Sequence, residues 1–170
     1  YYGGIKRYQW TTIPLSLHGI IVKPNGEKIT ISIGEEESDP IFTITDLLPH
    51  LAVSQSDKKL RDAIEGESLN LLVGSIPSDS DKDAIKENIL SLLNDKYGIE
   101  EEDFLSAEIE IVPSGKARDI GLDRSLLGAY GHDDRVCSYG AIKGILDINN
   151  PEKTSVCLLA DKEEIGSMGN

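Results

Sequence analysis

Asn25-Gly26 lies between two runs that read as β-strands, and this arrangement constrains the fold more than any other feature of the chain. Residues 15–22 are largely apolar, and residues 29–33 alternate Ile29, Ile31 and Ile33 with Thr30 and Ser32. A tight hairpin needs positive φ angles that Asn and Gly adopt at little cost, so Lys23-Pro24-Asn25-Gly26 predicts a turn and residues 12–33 a hairpin. The alternation of residues 29–33 is the pattern of a strand with one apolar face.

The residues that follow carry further elements. From Ser80 or Asp81 onward, Ile85, Ile89, Leu92 and Leu93 recur at helical spacing while Lys86, Glu87 and Asp95 fall opposite, which predicts an amphipathic helix ended by Lys96-Tyr97-Gly98. Residues 100–105 suit one more helical turn, and residues 107–112 alternate as a strand through Ile109 and Ile111. Between the hairpin and the helix, residues 41–44 and 68–73 read as short strands. Thr45-Asp46 is expected to cap a helical stretch over residues 47–52 despite Pro49, residues 54–67 read as helix-compatible with Leu60 and Ile64 on one face, and Glu35-Glu36-Glu37 reads as a solvated loop.

Beyond Pro113 the character changes. Residues 114–130, rich in Gly, Asp and Arg, read as a connector, and a helix is expected from about Asp134 to Leu146. Residues 155–160 are apolar on both faces, the pattern of a strand in a parallel sheet covered by helices on both sides. The expected fold class is α+β: a β-rich module with flanking helices over residues 1–113, then a connector and a helix–strand part of an α/β domain over residues 114–170. The opening at Tyr1 and the close at DKEEIGSMGN read as the bounds of an interior piece of a longer protein.

Charge and composition narrow the function classes. A formal net charge of −13 is the wrong sign for gripping nucleic acid. No stretch approaches the roughly 18–20 apolar residues that cross a bilayer, and the opening YYGGIKRYQW has no signal-peptide core, so a cytoplasmic protein with no membrane partner is expected. Cys137 and Cys157 are then expected to be buried free thiols rather than a disulfide.

Two acidic constellations stand at element ends: Asp133-Asp134 before the last helix, and Glu163-Glu164 after the last apolar run. Carboxylates at the carboxyl edge of a buried parallel strand lie where open α/β sheets place ligands. One Asp can bridge two divalent cations about 3.5–4 Å apart while a Glu that binds no metal takes the proton from an attacking water. On residue types alone, helix caps and solvated strand ends are the favoured explanation of both.

The wording of the strings is more specific. GAYGHDDRVC and CLLADKEEIGS closely resemble the dinuclear metallo-aminopeptidases that include aspartyl aminopeptidase and vacuolar aminopeptidase I. The resemblance extends upstream through residues 10–19 (WTTIPLSLHG) and 39–51 (DPIFTITDLLPHL), so it covers most of the chain. It implies a catalytic α/β domain interrupted by a β-rich dimerisation insertion, assembled into homo-oligomers up to dodecamers. It implies Asp133 as the Asp bridging two metals, Glu164 as a terminal metal ligand, and Glu163 as the general base. It also implies His18 as an insertion-domain histidine that reaches the active site of the adjacent subunit. The alternative for His18 is pairing with a neighbour on its own strand.

The implied activity is release of N-terminal residues from peptides, with metal-activated water as nucleophile and two divalent ions as cofactors: zinc first, cobalt or manganese as alternatives. Neutral or broad specificity, as in the aminopeptidase I branch, is the expected preference. The family site needs further His and Asp ligands that residues 1–170 do not supply, so this chain alone is expected to bind no metal, to be inactive, and to serve mainly in subunit association. Two rivals are a non-catalytic association domain and a metal-independent carboxylate-pair hydrolase, which would flank a sugar with two carboxyls.

Overall fold

The computed structural model describes residues 5–160, which divide into two compact units, one of Lys6–Gly115 and one that takes in residues 116–160. The first unit is built on the hairpin. Strands β1 (Leu15–Val22) and β2 (Lys28–Ile33) pair antiparallel from Val22↔Lys28 to Leu17↔Ile33. Their loop is closed by Lys23 N–H donating to the Glu27 carbonyl at 2.8 Å, with Gly26 at φ +85° as the turn requires. Short strands β3 (Thr43–Ile44) and β4 (Leu71–Leu72) pair with each other.

Helix α1 (Val53–Ser56) and helix α2 (Leu60–Ala63) are single turns, and residues 47–52 do not form the helix expected of them. Pro49 has no N–H to give a helix, and the Asp46 carboxylate is taken by the Leu47 N–H at 2.8 Å and by Gln55 Nε2 at 3.0 Å, which holds a turn instead. Helix α3 (Ala84–Tyr97) forms as its periodicity demands but starts three to four residues late. Ser80 Oγ accepts from the Lys82 N–H and donates to the Lys82 carbonyl, a local turn that competes with helix. Its end is as expected, with the Gly98 N–H reaching the Asn94 carbonyl at 2.7 Å.

Strand β5 (Glu108–Pro113) joins the other edge of β1, giving an antiparallel sheet of order β2-β1-β5. Period-two alternation sorts its residues. Leu17, Ile21, Ile31, Ile33 and Ile109 share the apolar face and meet Ile99, Tyr97 and Phe42 in the core. An apolar cavity of about 690 Å³ is lined by this face and by Ile85, Ile89 and Leu93 of α3. The opposite face carries Ser16 and His18 of β1, Thr30 and Ser32 of β2, and Glu108 and Glu110 of β5, in register with one another.

At Gly19 the backbone of β5 lies close against β1. A Cβ at this position would lie 2.1 Å from the Glu108 carbonyl oxygen and 2.8 Å from Ile109 Cα. Gly19→Ala is therefore expected to force the strands apart and cost about 1–3 kcal/mol, the usual penalty for overpacking. A lowered urea midpoint would show it, and an unchanged midpoint would contradict the close approach.

In the second unit the expected connector is a hairpin. Strands β6 (Arg118–Ile120) and β7 (Leu126–Gly128) pair antiparallel around a turn at Gly121-Leu122-Asp123-Arg124, and helix α4 (His132–Leu146) follows. Residues 155–160 take no strand pairing among the described residues, and Val156 and Leu158 are exposed, so the buried strand expected there is not observed. A strand exists only through a partner's ladder, and among the described residues β6 and β7 bond only to each other. Cys137 and Cys157 are free thiols, but Cys137 is exposed and Cys157 half-buried rather than both enclosed. Among the described residues no helix is long and apolar enough to cross a membrane.

Candidate functional site

Alternation along β1 sets Ser16 and His18 side by side on the polar face of the sheet. β1 is the central strand, so the backbone of His18 is held from both edges, opposite Ser32 on β2 and Glu110 on β5. Its ring Nε2 lies 2.9 Å from Glu35 Oε1 and 3.3 Å from Ser16 Oγ. Ser16, fully buried, donates its hydroxyl proton to the same Glu35 oxygen at 2.8 Å.

These contacts hold the Glu35 carboxyl below its ordinary pKa, the Ser16 hydroxyl contributing most and the His18 ring next, against a smaller opposing effect of burial. Glu35 is thus ionised at neutral pH. An ionised carboxylate only accepts, so Nε2 carries a proton whichever charge state the ring is in.

The loop that carries Glu35 is held by several contacts. Gly34, φ +108°, follows the last residue of β2 and backs onto Ser16, where a Cβ would lie 2.9 Å from Ser16 Cβ. Its N–H donates to Asp39 Oδ2 at 3.1 Å, the Glu36 N–H reaches the same oxygen at 3.4 Å, and Ser114 Oγ donates to the Gly34 carbonyl at 2.5 Å. The Asp39 carboxyl is held below its ordinary value, chiefly by the Gly34 N–H. Of the acidic run, Glu36 and Glu37 are exposed as a solvated loop should be, whereas Glu35 is drawn back onto the sheet.

Asp133 belongs to the second unit, in the first turn of α4. Its φ of −86° and ψ of 116° are not helical, and its peptide bond to Asp134 is cis. The approach is fixed from both sides: Arg135 Nη1 donates to the Tyr130 carbonyl at 3.0 Å, and His132 Nε2 donates to the Leu127 carbonyl at 3.0 Å. Used as a donor to a carbonyl, His132 Nε2 is not available to a cation. Both Asp133 and Asp134 are exposed.

Of the residues singled out in the sequence, His18 and Asp133 are therefore each placed on a defined local frame, one in each unit, while Glu163 and Glu164 lie outside the described residues. A carboxylate such as Asp133 suits zinc. One carboxylate is not a site, and among the described residues no group of three or more His, Cys, Asp and Glu side chains could hold a metal ion. The residue that sequence reasoning passed over is Glu35, and the signal for it was Gly34, the first residue after a strand whose register puts it opposite Ser16.

Comparison with known proteins gives a consistent answer. The model of a family described as aminopeptidase I zinc metalloprotease (M18) matches residues 1–170. The chain is 53% identical over 171 residues to the "Probable M18 family aminopeptidase 1" of Clostridium acetobutylicum, covering 99% of this chain and 37% of that protein. Among solved structures, an M18-family aminopeptidase from Thermotoga maritima superposes with a TM-score of 0.90 at 52% identity, covering 98% of this chain and 37% of that one. Aminopeptidase I from Clostridium acetobutylicum superposes at 0.88, again at 52% identity and with the same coverage. The chain thus spans a little over a third of the length of these relatives.

Proposed function

The chain belongs to the M18 family of aminopeptidase I zinc metalloproteases, and from this premise we propose that it forms part of an enzyme that releases N-terminal amino acids from peptides. The observation carrying this reading is the 53% identity to an M18 aminopeptidase along 99% of the chain. That span includes both GAYGHDDRVC and DKEEIGS.

In the complete protein Asp133 and Glu164 would hold zinc, Asp133 as the ligand common to two ions. Zinc, when bound, supplies Lewis acidity toward the peptide carbonyl and toward water. Glu163 would take the proton from the attacking water and pass it to the departing amine, the two transfers that one positioned carboxylate can perform in turn. His18 would act in the active site of the adjacent subunit, holding the carbonyl oxygen of the substrate as charge gathers on it.

This assignment makes residues 1–113 a dimerisation domain and residues 114–170 a contribution to the catalytic domain. It also makes the chain inactive by itself. The association role is supported by the sheet of the first unit, in which, among the described residues, β2 and β5 each bond to a strand on one side only.

Removal of metal tests the activity. Treating the full-length protein with a chelator is expected to abolish release of N-terminal residues from unblocked peptides, and added zinc to restore it. Activity indifferent to chelation would favour the metal-independent carboxylate-pair hydrolase instead.

A further inference from the structure

His18 is not alone on its strand face. Its Nε2 is engaged by the Glu35 carboxylate at 2.9 Å, and the buried Ser16 hydroxyl is bonded to that same carboxylate oxygen at 2.8 Å. The arrangement is not that of a nucleophile triad, in which the acid and the hydroxyl meet opposite nitrogens of the ring. Here both meet Nε2, so Ser16 is not activated, and the group that is constrained is the imidazole.

The constraint has a chemical content. With Nε2–H committed to an ionised carboxylate, a neutral His18 is confined to the tautomer whose Nδ1 is an acceptor, and a protonated His18 gains a partner for its charge while Nδ1 becomes a donor. Either way the ring is locked about its Cβ–Cγ axis, and Nδ1 is the atom left to meet a ligand. Among the described residues every side-chain hydrogen bond of His18 is made through Nε2. Glu35 is itself held, since the turn before it is tied to Asp39 and to Ser114 and is pressed against Ser16 at Gly34.

We propose that Glu35 is a positioning residue for His18, holding its Nε2–H and its orientation so that the doubly protonated ring presents Nδ1–H as a donor to the carbonyl oxygen of a peptide substrate bound in the adjacent subunit. The proposal rests on the reading of His18 given above. Ser16 completes the device by orienting the carboxylate, and the Gly34–Asp39 turn sets its reach.

A double-mutant cycle in the full-length oligomer, with kcat and KM measured separately and zinc content monitored, tests this. Glu35→Ala is expected to lower kcat by about tenfold, within the roughly 100-fold that ångström-scale misplacement of an acting group can cost, with KM and zinc content little changed. Glu35→Gln keeps an acceptor oxygen for Nε2 and is expected to lose less than Glu35→Ala. It also serves as the readout should Glu35→Ala fold poorly. In a His18→Ala background either substitution is expected to have little further effect, because the residue it positions is gone.

If His18→Ala alone left kcat unchanged, the reading of His18 would fail and the role of Glu35 with it. If His18→Ala were impaired while Glu35→Gln and Glu35→Ala were not, or if their losses multiplied in full with that of His18→Ala, the positioning role would be overturned and the reading of His18 would stand.

Discussion

Glu163→Gln in the full-length protein is expected to lower kcat by about 10²- to 10⁴-fold, the range that a positioned general acid–base contributes, while leaving zinc content and KM near those of the parent. Gln is nearly isosteric with Glu and keeps one acceptor oxygen, but it cannot receive and return a proton at neutral pH. The loss therefore falls on the chemical step. A variant that kept near-normal turnover would remove Glu163 from the role of base, and one that lost its zinc would make Glu163 a ligand.

Asp133→Asn is expected to fail differently. A bridging carboxylate offers an anionic oxygen to each of two cations, whereas an amide offers one neutral oxygen and an NH₂ group that only donates. Zinc affinity should fall by more than the roughly 10- to 100-fold that loss of an outer hydrogen-bonding partner costs, and activity should fall with it. Excess zinc is expected to restore activity in part, which it should not do for Glu163→Gln. The two substitutions thus separate holding the metal from moving the proton, and titrating zinc into each variant reads the difference.

The α+β character and the framework of the first unit were legible because strong local rules agree there. Asn25-Gly26 marked the hairpin, alternation marked its second strand, and the spacing of Ile85, Ile89 and Leu93 marked α3; the register and the packing of α3 on the apolar face came only with the structure. The errors arose where one local rule met a competitor. Thr45-Asp46 resembles a helix cap, but the Asp46 carboxylate closes a turn with Leu47 and Gln55. The hairpin of β6 and β7 was missed because three-residue strands are too short to show a period.

The candidate site divides in the same way. His18 and Asp133 were singled out through the wording of their surrounding strings, which periodicity could not supply. Glu35 was hidden in an acidic run that composition assigns to solvent. Only the register Leu17↔Ile33 carries Gly34 to Ser16, and only then does the next side chain come within reach of His18. Residues 155–160 show the reverse limit, since a sequence suited to a buried strand still needs neighbouring strands to bond.

The most direct test of the central claim is an anomalous-difference map at the zinc absorption edge, recorded from crystals of the full-length protein. The account predicts two adjacent peaks about 3.5–4 Å apart, bridged by the Asp133 carboxylate, with Glu164 on one of them and Glu163 close by but uncoordinated. An Asp133 carboxylate standing free in solvent, with the peaks elsewhere or absent after zinc loading, would contradict it.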